Sequence, residues 1–191
     1  MFAPVIISNI KEQAMKKIVV IFSLFVALLG ADNRWDTVKV SDATLYYVSG
    51  VTNGFDTFGF LKIKDQCQDT TMYLSLHNDN DKVKKFNDKF IKVDVTADKT
   101  TFTIEVSINV FKHHLAGKYY VYPVVSVYFL MSEKFIKLLK RSKTITFKIN
   151  PHQKIAKYFK NFKATFDIRG FTKIYTLGYN SCIKQSKQKE R

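Results

Sequence analysis

The stretch 89–108, "KFIKVDVTADKTTFTIEVSI", decides the fold class. In its first half Phe90, Lys92, Asp94 and Thr96 alternate with Ile91, Val93 and Val95. In its second half Phe102, Ile104, Val106 and Ile108 alternate with polar residues. Alternation with period two sends one set of side chains to a core and the other to water, as in a half-buried β-strand. Ala97-Asp98-Lys99 between the halves is a turn signal. The stretch therefore reads as strand, turn, strand.

The same grammar extends in both directions. Downstream, "KTITFKI" (143–149) alternates on Ile145, Phe147 and Ile149. Upstream, "TFGFLKIK" (57–64) and "TTMYLSL" (70–76) read as strands separated by "DQCQD", and "WDTVKV" (35–40) and "TLYYVSG" (44–50) flank a turn at Ser41-Asp42. Further turn signals lie at Asn53-Gly54 and at Asn78-Asp79-Asn80-Asp81. "KYYVYPVVSVYFL" (118–130) is the longest apolar run, and Pro123 within it predicts an edge, a bulge or a break. Two stretches change period. "SEKFIKLLKRS" (132–142) offers Ser132 as an N-cap and a helical stripe of Phe135, Ile136, Leu138 and Leu139. After Gly170, the residues Phe171, Ile174, Tyr175, Gly178 and Cys182 recur at spacings of three and four, which predicts a C-terminal helix lying on the sheet. The expected fold is mainly β: an antiparallel sandwich or barrel with one or two short helices. One domain, 32–182, accounts for it, and "IKQSKQKER" (183–191) is expected to be a basic disordered tail.

The N-terminal region carries an address. Met15-Lys16-Lys17 precedes Ile18 to Leu29, an apolar run interrupted only by Ser23, and Gly30-Ala31-Asp32 follows. A basic start, an apolar core and a small-residue exit describe a secretory signal peptide of the bacterial type at 15–31, cleaved after Ala31. Residues 1–14 then read as sequence upstream of the true initiator, Met15. The run falls short of the ~20 residues of a comfortable membrane span. A membrane anchor retained at 15–31 is the alternative. No cysteine stands at the exit, which argues against a lipoprotein.

The formal charge of the chain is +15. Lys11, Lys16 and Lys17 against Glu12 account for +2 of this, leaving +13 for residues 32–191. In an exported chain no nucleic acid is expected as partner. The anions it meets are envelope polymers, lipid head groups, host surfaces or another envelope protein. A codon bias towards Lys, Ile, Phe, Asn and Tyr gives the same charge without a function. Basic and aromatic residues coincide in "HQKIAKYFKNFK" (152–163), where Lys154, Lys157, Lys160 and Lys163 surround Tyr158, Phe159 and Phe162. With the exception of Phe162, these are the candidate anion-binding residues. The competing reading is a solvated loop anchored to the core by its aromatics.

Two cysteines, Cys67 and Cys182, occur in the whole chain. In an exported protein they read as a disulfide that pins the last helix to the sheet, and the alternative is a pair of buried thiols. There is no Cys-x-x-Cys and hence no redox motif.

"LKIKDQCQ", "TTMYLSL", "IKVDV", "FLMSEKFIKLLKRSKTITFKI" and the closing "TFDIRGFTKIYTLGYNSC" together resemble the VasI-like family of exported accessory proteins associated with type VI secretion. The likeness spans about Thr57 to Cys182. It implies a small periplasmic β-rich domain with the same cysteine pair linked, and it brings no catalytic residue. A fainter likeness joins the chain to invasion-associated locus B proteins, which also end on a Phe-x-x-x-Gly-Phe segment.

Motifs for chemistry are sparse. His113 and His114 are strand neighbours pointing to opposite faces, so they do not join on one metal. His77 with Asp79 and Asp81 concentrates ligand types in one loop, but the loop lacks the glycine and distal glutamate of a calcium-binding loop. Ser126 and Ser132 lack the flanking glycines of a nucleophile elbow, and the seven glycines form no phosphate loop. No catalytic residue, metal ligand or cofactor is assigned. The expectation is an exported, non-enzymatic, periplasmic or secreted envelope protein with a structural or accessory role, its oligomeric state left open. The alternatives are a binding module for anionic surfaces and an envelope hydrolase.

Overall fold

Thr100–His114 forms one unbroken strand of 15 residues, and the architecture is organised about it. The structure is a computed structural model. It describes residues 35–52, 54–78, 80–114, 121–159 and 163–187, with backbone alone at 40, 111–114 and 121–124. In chain order the strands are β1 (Asp36–Val40), β2 (Ala43–Ser49), β3 (Thr57–Ile63), β4 (Thr71–His77), β5 (Phe90–Ala97), β6 (Thr100–His114), β7 (Val121–Leu130), β8 (Thr144–Ile149) and β9 (Lys163–Asp167). Helix α1 (Glu133–Arg141) precedes β8 and helix α2 (Phe171–Lys187) follows β9. Short 3-10 turns occupy Asp81–Phe86 and Ala156–Tyr158.

All strand pairs are antiparallel, in the order β1-β2-β3-β4-β7-β6-β5-β8-β9. The first half of β6 pairs with β5, Ala97 standing opposite Thr100 and Phe90 opposite Ser107, and the second half pairs with β7 from Ile108 opposite Val127 onwards. The strand thus belongs to two halves that fold over each other. Phe58 of β3 meets Phe147 of β8 at 5.3 Å and Phe166 of β9 at 5.6 Å between ring centres. Near the free edges, Val51 N–H donates to Thr165 O at 2.8 Å. The sheet remains open, with β1 and β9 at its ends, so the fold is a sandwich and not a closed barrel.

The alternation read from the sequence sets the core. Ile91, Val93 and Val95 face inward with Val106, Ile108, Ile145, Phe147 and Ile149, while Phe90 stays 69% exposed. Each buried Phe, Leu or Ile contributes roughly 1.5–3 kcal/mol by leaving water. The hairpin turns require left-handed backbone at their first residue, φ 51° at Ser41 and 48° at Asp98. Asp98 also accepts hydrogen bonds from the N–H groups of Lys143 and Thr144 at 3.1 and 3.0 Å, which ties the β5–β6 turn to the start of β8. These bonds, that of Thr144 foremost, hold its carboxyl below the usual range.

Pro123 sits in β7, a strand flanked by β4 and β6. The pairing with β4 ends at Val124 opposite His77, so one residue further on Pro123 has a ladder partner only on the β6 side, Lys112. The expected edge is therefore local. Ser132 caps α1 as read, its Oγ accepting from Phe135 N–H at 3.2 Å, and Phe135, Ile136, Leu138 and Leu139 are buried.

The C-terminal helix is longer than the sequence reading allowed. α2 continues through Lys187, so residues 183–187 are helical and not a disordered tail. The cause is local anchoring: the Ser186 hydroxyl donates to Cys182 O at 3.2 Å and accepts from Asp65 N–H at 3.1 Å. Upstream, Phe171 and Tyr175 pack on Phe60, and Gly178 lets the helix approach so closely that a Cβ there would lie 2.9 Å from Tyr46 Cε2. Cys182 and Cys67 are joined as a disulfide across 115 positions. No helix among the described residues is long and apolar enough to cross a membrane.

Candidate functional site

The segment 152–163 divides between anchoring and display. Ile155, Ala156 and Phe159 are buried, and the 3-10 turn Ala156–Tyr158 holds Lys157 out to solvent and Tyr158 half-buried. Gln153 fastens the segment to β5, its carbonyl oxygen accepting from Lys92 N–H at 2.7 Å and its amide donating to Lys92 O at 2.6 Å. Phe159 is thus a core anchor and not part of a binding face, because the chain turns its ring inward after the 3-10 turn. Lys154 is exposed. Lys163 is exposed on β9, opposite Lys148 in the ladder, and Lys160 lies outside the described residues.

Tyr158 organises the face. Lys85 Nζ donates to its hydroxyl at 2.6 Å and stands 4.2 Å from the ring centre, while Lys157 Nζ stands 5.2 Å from the same ring. Phe86 packs beside it at 5.7 Å between ring centres. Lys85 and Phe86 come from the turn Asp81–Phe86, whose start is capped by the Asn80 side chain accepting from Lys82 N–H and whose Val83 is buried. In that turn Lys84 pairs with Asp81 at 2.6 Å. Among the described residues neither Lys85 nor Lys157 forms an ion pair with a carboxylate. The hydrogen bond from Lys85, with the charge of Lys157 adding to it, holds the Tyr158 phenol below its usual pKa. Two exposed ammonium groups and a phenol on one half-buried aromatic patch can receive a phosphate, sulfate or carboxylate group.

Sequence reading found Lys157 and Tyr158 and missed Lys85, which lies 73 positions away. The only signal available was the basic tripeptide Lys82-Val83-Lys84 and the following Lys85-Phe86.

The other sites singled out from sequence have structural partners. His77 N–H donates to the Asp56 carboxylate at 2.8 Å, and burial pushes that carboxyl up to about 6. Asp79 and the side chains of His113 and His114 lie outside the described residues. Among the described residues no three His, Cys, Asp or Glu gather in a way that could hold a metal ion. Ser126 is buried and bonds Tyr73, and Ser132 caps α1. At the disulfide, Lys62 is only 2% exposed, its ammonium donating to Cys67 O, Asp69 O and Thr70 Oγ1 at 2.8, 3.0 and 2.7 Å. The rings of Tyr175 and Tyr179 lie 5.0 and 5.6 Å from it. That cluster fastens α2 to the β3–β4 loop around a buried lysine.

Comparison with protein-family models, with characterised proteins and with solved structures returns no match.

Proposed function

We propose that the chain is an exported, non-enzymatic envelope protein, periplasmic or secreted, that engages anionic envelope polymers, lipid head groups or host surfaces through the face around Tyr158. The observation that carries this reading is the convergence of Lys85 and Lys157 on one tyrosine, with no carboxylate paired to either among the described residues. Like charges held close repel, and a bound anion relieves that repulsion while making charge-assisted hydrogen bonds. The Cys67–Cys182 link supports an oxidising compartment, as does the leader-like segment 15–31. It also joins the first and the last of the five segments on which the VasI-like resemblance rests, which supports an accessory role of that kind.

Co-sedimentation with vesicles tests the reading. Vesicles rich in anionic phospholipid should pull down the oxidised protein, and zwitterionic vesicles should not. Lys85→Gln with Lys157→Gln should lower the apparent affinity about tenfold, corresponding to about 1.4 kcal/mol. Equal binding to both vesicle types, or no effect of the paired substitution, contradicts it.

A further inference from the structure

The long strand β6 changes partner half-way, and its first half keeps one side open. From Ala97 opposite Thr100 to Phe90 opposite Ser107 it runs beside β5 without a bulge, while β7 joins its other side only from Ile108 onwards. Ile108 N–H donates to Lys89 O at 3.0 Å and Ile108 O accepts from Asp88 N–H at 2.8 Å, both on the β5 side. The even-numbered residues of β6 therefore turn their backbone groups towards β5, and the odd-numbered ones turn theirs away. Among the described residues, nothing takes up the outward N–H and C=O groups of Thr101, Thr103 and Glu105.

The two terminal edges of the sheet are protected. β1 is five residues long and exposes Lys39, and at β9 the Thr165 carbonyl is occupied by Val51 N–H. Short length, lysine and a covering loop are common defences of a sheet edge. The stretch 100–107, "TTFTIEVS", has none of them: it lacks lysine and proline, and its one charge is Glu105. Threonine, phenylalanine, isoleucine and valine fill most of it, residues that favour strand pairing. Thr101, Thr103 and Glu105 are exposed, and Phe102 and Ile104 are half-buried. Helix α1 reaches Phe102 from the core side through the Phe135 ring, at 5.7 Å between ring centres.

We propose that this edge receives the same edge of a second copy of the chain, antiparallel, about a two-fold axis at Phe102. Charge complementarity selects both the occupant and the register. With the axis at Phe102, Lys99 stands opposite Glu105 of the second copy at each end, and Thr101 stands opposite Thr103 of the second copy between them. Thr101 and Thr103 are both odd-numbered, so each such pair exchanges two backbone hydrogen bonds. Phe102 meets its counterpart across the axis, which covers part of a ring now half in water. A register shifted by two, with the axis at Thr103, leaves Lys99 opposite Ser107 and loses both ion pairs. The interface is isologous and closes on itself, so it ends at a dimer. It joins β9-β8-β5-β6 of one copy to the same four strands of the other in one continuous sheet. The inference does not depend on the anion-binding reading, which uses other residues.

Sedimentation velocity of the oxidised full chain, in nonionic detergent at physiological salt and over a range of concentrations, tests it. A monomer–dimer equilibrium is expected. Thr103→Pro removes an N–H that points away from β5, so it should abolish the dimer and leave the β5 ladder intact, with the circular dichroism spectrum unchanged. Lys99→Glu and Glu105→Lys, each placing like charges opposite one another, should each raise the dissociation constant about tenfold. The two together should restore it to near the wild-type value. A monomer at every concentration, a dimer that survives Thr103→Pro, or a double reversal no tighter than the single ones overturns the proposal.

Discussion

The Lys62 ammonium donates a 2.8 Å hydrogen bond to the carbonyl oxygen of Cys67, the residue whose sulfur holds the last helix. A buried lysine beside a disulfide binds the loop 65–70 from within, and burial lowers its pKa to about 8, against a partial opposing pull from Asp69. The unfolded chain holds that proton up to about 10.5, so between these values it binds more protons than the folded chain. Stability contributed by this group therefore rises with pH from about 8 to 10.5, by up to ~3 kcal/mol. Denaturant unfolding of wild type and Lys62→Met across that range checks it. The difference in stability between the two should move in favour of wild type as pH rises, and a constant difference contradicts the assignment.

Removing the disulfide should be costly. The link closes a loop of 115 positions, for which loop-closure entropy gives ~4–5 kcal/mol. Cys67→Ser with Cys182→Ser should lower the thermal midpoint by roughly 10–15 °C. Hydrogen exchange should accelerate first in α2 beyond Gly178, where the helix relies on the link and on Ser186. A midpoint within about 3 °C of wild type, set against that roughly 10–15 °C fall, means that α2 is held by other contacts.

Gly178 is a test of packing against propensity. Alanine gains up to ~1 kcal/mol in a helix interior, but its Cβ would stand 2.9 Å from Tyr46 Cε2 and 3.2 Å from Phe60 Cε2. Both rings are fully packed and stack on each other at 5.0 Å, so neither can yield cheaply. Gly178→Ala should destabilise by about 1–2 kcal/mol net. A stabilised variant in urea unfolding shows that the helix can shift outward.

Much of this architecture is legible because it is local. β5, β6 and β8 alternate cleanly and Ser132 precedes an apolar stripe, while the disulfide is legible for a different reason, since an exported chain with only two cysteines reads as linked. β2 and β3 are different: Leu45 and Tyr46, like Phe60 and Leu61, are apolar at adjacent positions, which signals burial on both faces but not what covers either. The parity of β3 also sends Lys62 inward, yet nothing local reveals that Cys67 O and Thr70 Oγ1 will receive it. The turn Asp81–Phe86 escaped because six residues show no period. Lys85 reached the candidate site only through the pairing of β5 with β8, which sets the two 3-10 turns side by side. Helical residues 183–187 look like a polar tail until the anchoring of Ser186 is seen.

The central claim is that Lys85 and Lys157 act together on an anionic partner. The most direct measurement is the affinity for anionic vesicles as a function of salt, for wild type and for Lys85→Gln with Lys157→Gln. Each ammonium that meets the anion adds close to one unit to the slope of log affinity against log salt, by analogy with polyelectrolyte binding. The account predicts that the paired substitution lowers the slope by roughly two, with the thermal midpoint unchanged. An unchanged slope would show that the charge on this face has no part in binding, and the proposed function would fall with it.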